Sequence, residues 1–244
     1  MPPAPVPDEG APQAMPHRSL ERLAAASGLV LVGLLVTARV IVPAPVLPEI
    51  QAGGLVRSYY LEHQSLLEVR GGLAGLAALA ALVLVGAMVG LLRRGEGMGQ
   101  GQSNGWLVVT AGCAGAATVA LWLVTSATLA ALVELRQAEV LGATQGNPAG
   151  ALALFQLYRA LGAFMAWPLA GFLAAVSAGL LWSGLLPRWF GWAGLGVAGL
   201  VLLGLLVPPL RLGQLSEWCL WLWLACLSAL LTIGAQRAEP SAVT

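Results

Sequence analysis

Six side chains in an otherwise apolar chain have types and positions that can do chemistry: Arg39, Glu62, His63, Glu134, Tyr158 and Arg159. Each falls inside or just beyond the end of an apolar run. Counting along those runs brings all six to the same membrane surface. A cluster of both charge signs with an imidazole and a phenol, held between helix ends, can bind a small ligand or relay protons. The same groups can instead form interfacial ion pairs that cap and orient helices, Glu134 with Arg159 in particular. Under that alternative they have no role beyond the fold.

Other chemistries fail on the inventory of residues. The only histidines are His17, in a proline-rich tail, and His63, so no two can face each other across a membrane to ligate haem. His63 beside Glu62 is too little for zinc, because adjacent helical residues do not face one site. Asp8 is the only aspartate and lies on the tail, which leaves no Ser-His-Asp set. All twelve basic residues are arginine, so a lysine Schiff base, and with it retinal, is excluded. The glycine-rich stretch GEGMGQGQSNG lacks the Gly-Lys-Ser/Thr ending of a phosphate loop and reads as a flexible connector. Cys113, Cys219 and Cys226 fall in apolar runs and read as small packing residues. No catalytic residue, metal site or cofactor is therefore expected.

The elements that must position the six residues are membrane helices. The 244-residue chain is 58% hydrophobic and 9% charged with a mean hydropathy of +0.82, whereas soluble domains carry roughly 25% charged residues. Its net charge of +1 offers no basic face to a nucleic acid. Residues 1–18 read as a disordered tail, 19–237 as a six-helix transmembrane domain and 238–244 as a second short tail. Ser19 is the expected N-cap of the first helix, with Glu21 in its first turn. The expected spans are Leu23–Val42, Gly71–Leu92, Trp106–Leu135, Trp167–Leu186, Phe190–Val207 and Ser216–Ile233, each near or above the roughly 20 residues that a bilayer core demands.

Arg39 lies in the last turn of the first span, where a long side chain can snorkel to the headgroups. The loop Pro43–Arg70 carries Glu62 and His63 and becomes helix-compatible from Ser58, which can extend the second span outward. The third run is about eight residues too long, so Glu134 projects beyond the membrane. The fourth is overlong on the same side and carries Phe155 to Arg159 to the interface. Pro168, after Trp167, breaks the backbone ladder of this span and is expected to leave a static kink. Pairs of small residues at four-residue spacing predict close helix packing: Gly71 and Gly75, Gly86 and Gly90, Gly112 and Ala116, Gly162 with Ala166 and Ala170, and Gly171 with Ala175 and Gly179.

An inward amino terminus places Arg18, Arg22, Arg93, Arg94, Arg188 and Arg237 inside, in keeping with the positive-inside rule. Trp106, Trp182, Trp189 and Trp192 then gather at the inner surface and Trp218 at the outer. Six helices with short connections fit one bundle with both termini in the cytoplasm.

The run Gly184-Leu185-Leu186-Pro187-Arg188-Trp189-Phe190-Gly191-Trp192 resembles the G-L-L-P-R-W-x-G turn between helices four and five of uncharacterised bacterial six-helix membrane protein families. The resemblance implies the same six-helix plan and transfers no functional residue. The expected protein is an all-α, polytopic helix bundle of a bacterial cytoplasmic membrane, in contact with lipids and not with nucleic acid. Its expected role is that of a non-enzymatic membrane component acting through helix packing with itself or a membrane-protein partner. The alternative is a small transporter or permease-like binder that uses the outer polar cluster. A closed bundle favours the first, and a cavity reaching Arg159 favours the second.

Overall fold

The computed structural model describes residues 17–41, 64–98, 105–140, 148–207 and 212–237. Among these residues there are six helices and no strand: α1 His17–Ile41, α2 Gln64–Met98, α3 Gly105–Val140, α4 Pro148–Ser183, α5 Arg188–Leu206 and α6 Leu212–Arg237. All six are long and apolar enough to cross a membrane, consistent with a multi-pass integral protein. Burying backbone amides inside helices is what a lipid environment requires, and these alanine-, leucine- and glycine-rich runs have little else to offer it.

Each helix packs on its neighbour in the chain, and α1 returns to α6, so the bundle closes into a ring. α2 also touches α4 across the middle. The even number of helices puts His17 and Arg237 at one end, here the terminal end; Ile41, Gln64, Val140, Pro148, Leu206 and Leu212 lie at the other, the distal end.

Lengths are unequal, and this shapes the molecule. α2, α3 and α4 have 35, 36 and 36 residues, against 19 in α5. At 1.5 Å per residue α4 is about 54 Å long, well beyond a hydrocarbon core of roughly 30 Å. The exposed rings of Trp106, Trp182, Trp189 and Trp192 mark one boundary at the terminal end, with Trp106 and Trp182 edge to face at 6.4 Å. About 20 residues further along each helix, the second boundary falls near Ile41, Leu73, Ser126, Ala163, Leu206 and Gly213. The surplus of α3 and α4 projects at the distal end, whereas that of α2 is shared, with residues 64–72 beyond the distal boundary and 94–98 beyond the other.

Tight packing is concentrated in the terminal half. Ala24, Met88, Ala111, Leu173, Val176, Phe190 and Leu227 are almost wholly buried there. Phe190 stacks on Trp223 with centroids 5.3 Å apart, and the Trp223 indole N–H donates to the Phe190 carbonyl at 3.5 Å. Two of the buried hydroxyls are satisfied within their own helices: Ser27 donates to the Ala24 carbonyl at 3.1 Å and Ser228 to the Leu224 carbonyl at 2.9 Å.

Several boundaries differ from the sequence expectation. α1 starts at His17, so Ser19 stands inside the first turn and is not its cap, and Glu21 falls beyond that turn. α2 continues past Arg93 through Gly95 and Gly97 to Met98, because isolated glycines weaken a helix by only about 1 kcal/mol each. It also begins outside Gly71, at Gln64, as the pattern after Ser58 suggested. α3 runs on to Val140, five residues past the expected end at Leu135. α4 stops at Ser183, before Leu186, because Gly184 turns into the left-handed region at φ 64°. It passes through Pro168 without ending. Pro187 then leads α5, and the Phe190 amide closes a turn on its carbonyl at 2.9 Å.

The small-residue pairs are only partly packing contacts. A side chain at Gly171 would touch Ala114 at 3.6 Å, and Gly179 lies directly against Leu92, so this stripe does join α4 to α2 and α3. Gly71, Gly75, Gly86 and Gly162 face open space instead. Other glycines make approaches as close as that of Gly179: Gly28 against Ser228, Gly115 against Val85, and Gly191 and Gly194 against α4.

Candidate functional site

The distal half is hollow where the terminal half is packed. A cavity of about 860 Å³ opens there, walled by α1, α2, α3, α4 and α6. Four of the six residues singled out in the sequence line it. Arg39 comes from the last turn of α1, Glu134 from the projecting part of α3, and Tyr158 and Arg159 from the projecting part of α4. The other two, Glu62 and His63, lie outside the described residues.

Helix overlength explains this convergence. α3 and α4 are antiparallel neighbours, so the residues that rise past the hydrocarbon boundary near Ser126 and Ala163 rise side by side. α2 supplies a third projecting wall. Beyond the boundary polar side chains meet water, which is why arginine and glutamate are tolerated there. Arg39 and Tyr158 are half-buried, whereas Glu134 and Arg159 are exposed. Among the described residues no ion pair joins Glu134 to Arg159; the two line the cavity without closing it.

Three charged residues missed as candidates also line this cavity. Glu68 and Arg70 stand at the distal end of α2, and each holds an interaction of its own. Glu217 comes from the second turn of α6 and is half-buried. Its clue in the sequence was position: Glu217 is the only charged residue within the expected sixth span, and an acid inside a membrane span marks a functional site by default. Glu68 and Arg70 gave a weaker clue, since a helix-compatible pattern already surrounded them.

Beneath the rim lies a second cavity of about 430 Å³, walled by all six helices. Six residues line both: Leu35, Trp122, Gly162, Met165, Glu217 and Trp221. The two cavities therefore form one cleft with a waist. Trp221 is buried at this waist and packs edge to face on the exposed Trp218, 4.9 Å away. Gly162 leaves the waist open, since a side chain there would meet nothing within 4 Å.

Below the waist the walls are apolar: Leu31, Leu84, Val119, Leu169, Phe172, Leu173, Val201 and Leu224 among them. The hydroxyls on this surface give their protons to their own helices. Thr118 donates to the Ala114 carbonyl at 2.8 Å and Ser216 to Gly213 at 2.9 Å. Glu217 at the waist is the one charged group of the lower chamber. Both volumes fall in the range of about 300–1,000 Å³ usual for small-molecule sites.

Among the described residues no three His, Cys, Asp or Glu side chains group as metal ligands, and the three cysteines are free thiols. What the cleft can do is hold a molecule, with charged contacts at its mouth and apolar ones at its base. Compared with protein-family models, curated proteins and solved structures, the chain matches none.

Proposed function

We propose that this chain is a non-enzymatic, permease-like binding protein that takes a small molecule into the distal cleft. One observation carries the proposal: the charged cluster lines a cavity that continues through a waist into an apolar chamber. A component acting only through helix packing would gain nothing from a hollow half, and cavities in a bundle forfeit packing contacts along their lining. The membrane is a bacterial cytoplasmic membrane, with Arg18, Arg22, Arg93, Arg94, Arg188 and Arg237 on the cytoplasmic side and both termini there. The cleft then faces outward. Lipid surrounds the bundle, and a second copy or another membrane protein can pack on its outer faces without blocking the mouth.

Cysteine accessibility tests this. With Cys113, Cys219 and Cys226 replaced by alanine, Ser126→Cys places one thiol on the cavity wall. In intact cells a membrane-impermeant thiosulfonate added outside should label it. The added change Gly162→Leu, which fills open space at the waist, should leave the fold intact and block labelling of a deeper thiol at Thr118→Cys by a small neutral reagent. A Ser126→Cys thiol that resists the external reagent in folded protein would overturn the reading.

A further inference from the structure

Resting on the binding reading above, we infer that the ligand is a hydrophobic monovalent cation, an amine or quaternary ammonium whose charged head sits at the waist on Glu217 and whose apolar body fills the lower chamber. The waist sets the head. Glu217 lines both chambers, is half-buried, and is the only charged residue of the lower one among the described residues. It shares one face of α6 with Gly213, Ser216, Leu220, Trp221 and Leu224, whose spacings of three and four residues bring them all to the chamber wall. The acid thus stands one turn from the indole of Trp221. Trp122 lines the same waist from α3, which lies opposite α6 in the ring. A carboxylate and two indoles at one constriction suit a cation, because the carboxylate supplies the counter-charge and the ring faces attract it further.

Other ligand classes leave this carboxylate unmatched. An uncharged molecule in the lower chamber would cover Glu217 and remove it from water without a counter-charge, an unfavourable exchange. An anion there would meet the same acid at close range. Arg39, Arg70 and Arg159 line the upper chamber and not the lower, so an anion bound to them that threads a tail through the waist would lay apolar groups on Glu217, again without a counter-charge. The chamber sets the body. Thr118 and Ser216 give their hydroxyl protons to backbone carbonyls, so neither offers a donor to a polar molecule. At 430 Å³ the chamber has room for about fourteen groups the size of a water molecule, enough for a body of two or three rings. Gly162 leaves open space at the waist, through which that body can pass.

The test uses the full chain immobilised in maltoside micelles and reads retention of tritium-labelled trimethyl(naphthylmethyl)ammonium. Saturable binding is expected. Neopentylnaphthalene, in which carbon replaces the charged nitrogen, and naphthylmethanesulfonate, the anionic counterpart, should each bind on the order of tenfold more weakly, measured by displacement. Tetramethylammonium, the head without the body, should compete no better. Glu217→Gln should weaken binding about tenfold at an unchanged melting temperature, with Glu217→Asp retaining part of it, and Trp122→Leu should weaken it about threefold. Glu134→Gln, which removes an acid from the upper chamber alone, should change it less than about twofold. Equal affinity for the carbon isostere or the sulfonate would overturn the cation, and this comparison needs no variant to fold. Undiminished binding in folded Glu217→Gln, or an equal loss in Glu134→Gln, would overturn the placement of the head, and equal affinity for tetramethylammonium would overturn the body. No saturable binding while Ser126→Cys is still labelled overturns this inference alone; if that thiol is also unreactive, the binding reading falls with it.

Discussion

At the scale of single residues, the terminal half of the bundle is governed by what fits between backbones. Gly191 is a case where nothing larger fits: a side chain there would meet the Leu181 side chain at 2.5 Å and the Ser177 carbonyl at 3.0 Å. The leucine can rotate away, but the carbonyl belongs to a packed helix and cannot. Gly191→Ala is therefore expected to destabilise by about 1–3 kcal/mol. Gly196→Ala, on the same helix but with nothing within 4 Å, should be neutral or slightly stabilising. Thermal unfolding in detergent, followed by intrinsic fluorescence, separates the two; equal effects would mean that α4 and α5 are not in this contact. Ser177 gives a second residue-level prediction. Its hydroxyl is fully buried and has no hydrogen-bond partner, unlike those of Ser27, Thr118 and Ser228. Removing an unsatisfied buried group relieves a desolvation penalty of about 1–3 kcal/mol, so Ser177→Ala should melt at the same temperature or higher. A clear drop would reveal a partner for the hydroxyl.

At the scale of elements, helix length decides where the polar groups meet. Projection of α2, α3 and α4 past the hydrocarbon boundary carries Arg70, Glu134 and Arg159 into one cavity, while α1 and α6 contribute Arg39 and Glu217 from their distal turns. α4 holds its course through Pro168, which removes the amide that would bond to the Phe164 carbonyl. Phe164 is exposed on the outside of the bundle, where the static kink expected at Pro168 would open. A static kink of this kind predicts that Pro168→Ala regains a helical hydrogen bond and melts at an equal or higher temperature. The same variant should keep Ser126→Cys reactive. Melting lowered by several degrees would instead mean that the bend is needed to seat the tightly packed stretch from Ala170 to Leu180.

At the scale of the whole molecule, six described helices that each cross the membrane would put both ends of the bundle's chain on one side, and fusions test the side directly. A green fluorescent protein at either end should fluoresce, and alkaline phosphatase at either end should stay inactive; the reverse at both ends would turn the cleft toward the cytoplasm. Much of the architecture was legible in the sequence, because a bilayer imposes a length and an apolarity that each span must meet by itself. Composition alone therefore determined six helices, their order, the overlength of the third and fourth, and the level of Arg39, Glu134, Tyr158 and Arg159. The stopping points of α2 and α4 were less legible, since glycine ends a helix at Gly184, where φ is 64°, and not at Gly95 or Gly97. Whether the bundle is filled was not legible at all. Gly162 and Gly179 look alike in a small-residue stripe, yet one opens a waist and the other presses on Leu92, because only the crossing of α4 with α2 decides which glycine meets a neighbour. The tertiary structure likewise brought Glu217, Glu68 and Arg70 to the same cavity as Arg159, since charges far apart in sequence converge only when the ring of helices closes.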